Sequence, residues 1–125
     1  MAEENQSAHP NALPNYQKAV IPPDKLRKYA LDPTSADGKG KAKGFKNRLG
    51  FDLSNWELLQ HSILNRLPYH EAILRNEDEH GKRYTVFLLI TGPNGKTEEI
   101  VTGWIIKPET DYPCLATTYF RKRKR

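Results

Sequence analysis

Apolar residues recur at helical spacing in three places before the chain switches to alternation. Ala42, Phe45 and Leu49 fall three and four apart, which makes one narrow stripe on a helix. Lys39 and Lys43 point away from that stripe. Lys41 borders it, so its stem can lie on protein while its ammonium stays at the edge. Gly50 follows the last periodic residue and reads as the helix stop. Upstream, Pro23 and Asp24 suit a helix start, and Leu26, Tyr29 and Ala30 supply a short buried face. Downstream, Trp56, Leu59, Ile63 and Leu67 share a face, with Pro68 as terminator and His61 nearly opposite. Ser54 and Glu57 match a capping box for that helix.

From Tyr69 onward the pattern is that of strands, predicted over 69–76, 82–91, 97–106 and 114–120. Residues 77–81 make the first turn. Gly92-Pro93-Asn94-Gly95-Lys96 makes the second, with proline and asparagine at the corners of a type I turn and glycine at the left-handed bulge position. That geometry pairs Gly92 with Lys96. It sets Tyr84, Val86 and Leu88 on one face with Trp104, Thr102 and Ile100. The predicted fold is α+β: two to three N-terminal helices followed by a four-stranded antiparallel β-meander. One sheet face must pack on the helices, and the other needs partial cover or forms an aromatic-lined groove. Residues 1–20 lack periodicity and read as a disordered arm, 21–120 as a single domain, and 121–125 as a mobile basic tail.

Charge adds a partner class. The 125-residue chain carries a formal +5 with a pI of about 9.4, which favours RNA or another polyanion. Its single cysteine, Cys114, excludes an internal disulfide and any multi-cysteine metal site. The histidines and carboxylates are scattered, so neither a metal nor an organic cofactor is expected; there is no phosphate-binding loop, dinucleotide fingerprint or nucleophile elbow. Gly38 and Gly40 near lysines have no preceding strand to make a phosphate cradle. No run is apolar enough to span a membrane, and the N-terminus lacks the regions of a secretion signal, so a cytoplasmic location is expected.

Several positions together form a pattern: Lys25-Leu26 with Tyr29 and Leu31, Gly40-Lys41-Ala42 with Phe45 and Leu49-Gly50, Gly81 with Arg83-Tyr84, Thr102 with Trp104-Ile105-Ile106, and Leu115 with Thr117. This resembles an uncharacterised family of small bacterial domains, found free-standing and as C-terminal modules of toxin-like and phage-associated proteins. The resemblance covers roughly residues 21–119. At the level of fold it is similar to the barnase–EndoU–colicin–RelE group of ribonucleases.

A metal-free ribonuclease needs a partner for the ribose 2′-hydroxyl, cationic donors for the phosphate, and an acid for the leaving oxygen. The resemblance offers Lys41, Tyr84, Thr102 and Thr117 as catalytic candidates. Lys25, Lys43, Arg83 and Trp104 are the nucleic-acid-binding candidates. Lys41 would contact phosphate oxygens, Arg83 would clamp phosphate, Tyr84 would orient or donate a proton, and Trp104 would stack a base. Each also has a structural reading: Lys41 as a solvated helix-edge lysine, Tyr84 and Trp104 as cross-strand core aromatics, the threonines as strand formers, and Arg83 as a partner of Glu79. Among the histidines, His70 is the best placed to be a general base. A catalytic site would require Lys41, Tyr84 and Thr102 to share one groove. The functional expectation is a toxin-like RNA-binding domain with possible metal-independent RNA cleavage. Its alternatives are a non-enzymatic antitoxin, immunity or phage-accessory factor with a cognate protein partner, and a simple nucleic-acid-binding module.

Overall fold

Four antiparallel strands in sequential order form the sheet: β1 (Ala72–Asp78), β2 (Gly81–Thr91), β3 (Thr97–Ile106) and β4 (Cys114–Phe120). A computed structural model describes residues 7–34 and 39–120. The basic tail and the first six residues of the arm lie outside the described residues. The architecture is α+β as expected, with the helices between the N-terminal segment and the sheet. The first strand starts three residues later than the sequence suggests, because Leu67–Tyr69 winds on from the helix as a 3-10 turn.

The second hairpin forms as its turn chemistry dictates. Gly95 is left-handed, the Gly92 amide donates to Lys96 O, and Thr91 pairs with Thr97. The register follows: Tyr84 faces Trp104, Val86 faces Thr102 and Leu88 faces Ile100. This face packs on the helices and is buried with Leu26, Phe45, Leu49, Leu59 and Ile63. On the opposite face Phe87, Val101 and Tyr119 lie in one row across three strands. Val101, flanked by the two rings, is only 5% exposed, so the row supplies part of its own cover.

The basic helix α1 (Lys39–Gly44) runs on into a π-type turn, Phe45–Leu49. Ala42, Phe45 and Leu49 are all buried, as their spacing predicts. Gly50 adopts φ +88° and ends the helix, its amide donating to Phe45 O and Lys46 O. The preceding helix also winds as a π-type turn, Lys25–Ala30. Here the expected buried face needs correction. Leu26 and Ala30 are buried, but Tyr29 is 47% exposed. An i→i+5 pattern widens the turn beyond 3.6 residues, so residues four apart stay aligned while those three apart separate. Tyr29 therefore leaves the Leu26 face and aligns with Lys25.

Helix α2 (Trp56–Arg66) buries Leu59 and Ile63. Its entry is capped two residues earlier than Ser54 and Glu57 suggest. The Asp52 carboxylate accepts from the Ser54 amide at 2.9 Å and the Ser54 hydroxyl at 2.5 Å, and Asn55 Oδ1 accepts from the Asp52 amide at 2.8 Å. The box closes around a 3-10 turn, Leu53–Asn55, which shifts the capping site upstream.

Residues 7–20 pack on the body instead of forming a free arm. Leu13 is 1% exposed, Asn11 O accepts from the Ala72 amide, and Lys18 pairs with Asp111 at 2.7 Å.

The hairpin turn meets the helix end backbone to backbone. A Cβ on Gly92 would lie 1.9 Å from Leu49 O, whereas one on Gly95 would meet open space. Gly92→Ala is therefore expected to cost about 1–3 kcal/mol or more by overpacking, and Gly95→Ala about 1–2 kcal/mol from its left-handed backbone alone. Urea melts of both variants check this, and a Gly92→Ala protein as stable as wild type would contradict the docking. The Ser54 hydroxyl and amide hold the Asp52 carboxyl below its usual range. Its stabilising effect is present above about pH 4 and is lost as pH falls through the depressed value. Asp52→Ala should flatten that acid limb of the stability–pH curve.

Candidate functional site

Lys25, Tyr29, Ala30, Lys41, Ala116, Thr117 and Thr118 line a cleft of about 360 Å³ where the helical layer meets β4. Three elements build it. The π-type turn Lys25–Ala30 supplies the aligned pair Lys25 and Tyr29, with the Lys25 ammonium 5.7 Å from the ring centroid. Helix α1 supplies Lys41, whose half-buried stem borders the Ala42 and Phe45 stripe. Its Nζ donates to Thr117 Oγ1 at 3.4 Å and lies 5.6 Å from the centroid of the Tyr119 ring. Strand β4, at one end of the sheet, supplies Thr117 to the lining, and Tyr119 lies beyond the lining under the Lys41 ammonium.

A bulge in β4 decides which threonine takes part. Trp104 pairs with Leu115, but Gly103 pairs with Thr117, so Ala116 is the extra residue. Leu115 is buried on the core side. Simple alternation from it would return Thr117 to the core and turn Thr118 outward. The insertion exchanges them. Thr118 is 2% exposed and donates to Val101 O at 2.9 Å, while Thr117 faces away from the core and reaches Lys41. Across the sheet Gly103 leaves room for Thr117: a Cβ there would come within 3.0 Å of Thr117 Cγ2.

Basic side chains of the described surface divide into those paired with a carboxylate and those without such a pair. Lys18, Lys28, Arg48, Lys82 and Arg83 each sit within 4.0 Å of a carboxylate. Among the described residues, Lys25 and Lys41 face rings and a hydroxyl and make no ion pair with a carboxylate. A cation over an exposed ring gains about 0.5–1 kcal/mol, whereas a hydrogen bond between charged groups is roughly twice as strong as a neutral one. An anion entering the cleft would draw both ammonium groups from their rings.

The other residues singled out from the sequence lie elsewhere. Thr102 is fully buried, donates to Val86 O at 2.8 Å and accepts from Trp104 Nε1 at 2.8 Å. Trp104 is 1% exposed and cannot present a ring to a base. Tyr84, opposite Trp104, borders a separate depression with Lys82, Ile106 and Asp111. Arg83 pairs with Asp78 at 3.6 Å, not with Glu79. Lys43 borders a different cleft of about 520 Å³, with Leu31, Lys46 and Leu53. The single groove of Lys41, Tyr84 and Thr102 does not form; Lys25, Lys41 and Thr117 are the three that converge. His70 is held at both ring nitrogens, Nδ1 by Arg66 O at 3.0 Å and Nε2 by the Leu89 amide at 3.3 Å, which gives it a place in the fold. None of the described histidines lines the cleft. Tyr29 and Tyr119 are the residues that helix periodicity and strand pattern pass over. The alternation Thr117-x-Tyr119 was the available signal for the second, since it puts both on one side of a strand.

A helical layer on one face of a four-stranded meander, with a carboxylate-free pair of lysines at the β4 end, defines a small α+β domain with a cationic cleft. Residues 12–122 match the model of the family described as a domain of unknown function, DUF6883, and the chain belongs to that family. No curated protein and no solved structure matches it significantly. No group of three or more potential metal ligands occurs among the described residues, and no described helix is long and apolar enough to cross a membrane.

The assignment of Thr102 to the core has a direct check. Thr102→Val removes the acceptor of the Trp104 N–H and should cost about 1–3 kcal/mol of stability, read from the urea midpoint. An unchanged midpoint would contradict the core role of Thr102.

Proposed function

We propose that this domain binds RNA by holding a phosphate in the Lys25–Lys41–Thr117 cleft. The observation that carries the reading is the convergence of two lysines free of carboxylate partners and a hydroxyl on one concavity of phosphate-accommodating size. The ammonium groups supply charge, and the Thr117 hydroxyl adds a directional donor once Lys41 turns to the ligand. The excess of basic residues favours encounter with a polyanion.

Metal-independent cleavage is the further step that such a cleft can support. In it the 2′-oxygen bonds to phosphorus as the bond from phosphorus to the 5′-oxygen breaks. The 2′-hydroxyl gives up its proton to a base, and the 5′-oxygen takes one up. Lys25 and Lys41 would offset charge on the phosphate, and the Tyr29 phenol is the cleft's candidate proton donor. The lack of a histidine in the cleft among the described residues makes binding the primary reading and cleavage the secondary one. A toxin-like role for a cytoplasmic domain, with a distant likeness to ribonuclease folds, belongs to that secondary reading.

Incubation of the purified protein with labelled oligoribonucleotides and total RNA, without metal, tests both. Salt-sensitive binding is expected. Lys41→Ala should weaken it about tenfold and lower the slope of log affinity on log salt by about 0.7 for the lost phosphate contact. Binding indifferent to Lys41 would overturn the assignment of the cleft. Intact RNA alongside retained binding would remove cleavage, and harmless expression in cells would remove the toxin role.

A further inference from the structure

Each lysine of the cleft stands over an exposed tyrosine. Lys25 is 5.7 Å from the Tyr29 ring centroid, and Lys41 is 5.6 Å from that of Tyr119. The rings are 47% and 38% exposed, so each has surface open to a ligand. Tyr29 is a wall of the cleft. Tyr119 lies two residues beyond Thr117 on the same side of β4, in the row with Val101 and Phe87. The two rings come from separate elements, and each carries one of the cleft's two lysines.

Resting on the phosphate reading above, we propose that the cleft is specific for single-stranded nucleic acid, with bases flanking the bound phosphate stacking on Tyr29 and Tyr119. A phosphate that draws in Lys25 and Lys41 takes both ammonium groups off the rings and frees those ring faces at the moment the strand arrives. A base has an aromatic face for each ring regardless of its identity, so stacking confers strand type and not sequence. In a duplex the base faces are stacked inside the helix, and a phosphate of the backbone cannot bring two of them to separate protein rings. The geometry thus rejects duplex by withholding the stacking contribution while leaving the phosphate contribution available. It also makes the bound phosphate an internal one, with a nucleoside on either side.

The test uses three probes of equal length and phosphate count at one salt concentration: a single-stranded oligoribonucleotide, its duplex, and an abasic sugar–phosphate strand. Binding is read by fluorescence anisotropy. The single strand is expected to bind at least tenfold more tightly than the abasic strand and the duplex. Tyr29→Ala and Tyr119→Ala should each shrink the ratio of single-strand to abasic affinity, the quantity that stacking sets. Tyr29→Phe and Tyr119→Phe should retain it, because the ring persists without the hydroxyl. Equal binding of all three probes, or tyrosine variants that bind the single strand as wild type does, overturns the stacking proposal even when Lys41→Ala still weakens every probe. If Lys41→Ala weakens none of them, the phosphate reading fails and this proposal fails with it.

Discussion

The position of the basic helix depends on a backbone contact with no side chain in between. Gly92 approaches Leu49 O so closely that a methyl group would not fit, and the Asn94 amide donates to the same carbonyl at 3.3 Å. Asn94 Nδ2 donates to Arg48 O at 3.2 Å. Arg48 in turn pairs with Glu98 at 2.6 Å and lies 4.1 Å from the Phe120 centroid. The hairpin turn thus holds the C-terminal end of the helix against strands β3 and β4. Phe45 and Leu49 fill the space beneath, and Lys41, one turn toward the N-terminus, is carried to the end of the sheet. A contact made for docking sets the reach of a lysine at the opposite end of the same helix.

The parts of the fold that were legible in the sequence are those governed by short-range geometry. The five residues Gly92 to Lys96 fixed a hairpin register that placed Tyr84, Val86 and Leu88 opposite Trp104, Thr102 and Ile100. The stripe of Ala42, Phe45 and Leu49 fixed which side of the helix is buried and left Lys41 at its border. What escaped is where the backbone departs from the regular period. A π-type turn spaces residues differently from an α-helix, and Tyr29 moved from the core to the cleft for that reason alone. A bulge changes the face of every residue after it, and alternation counted through β4 misassigns Thr117 and Thr118. The roles of Thr102 and Trp104 were open to a chemical argument: two residues apart on one strand face, a buried indole needs an acceptor and a threonine offers one.

Local contacts separate background from site better than charge density does. Most basic residues of the described surface that approach a carboxylate do so in exposed pairs, which contribute little to stability but cancel local field. Lys25, Lys41, Lys43, Lys46, Lys96 and Lys107 make no such pair among the described residues, and two of them share the cleft. A count of lysines along the helix points to the helix as a whole; the Thr117 hydroxyl and the Tyr119 ring single out Lys41.

The bulge at Ala116 has a consequence beyond the site it shapes. A strand without insertions ties its two faces together, because moving one face by a residue moves the other as well. Here the core side of β4 is anchored by Leu115 before the extra residue and by Thr118 after it, while Thr117 and Tyr119 take their outward places only because the count was broken at Ala116. The edge strand is thereby divided into a segment answerable to the core and a segment answerable to the cleft. Chain length at that single point, and not residue identity, is the quantity that keeps the two in phase.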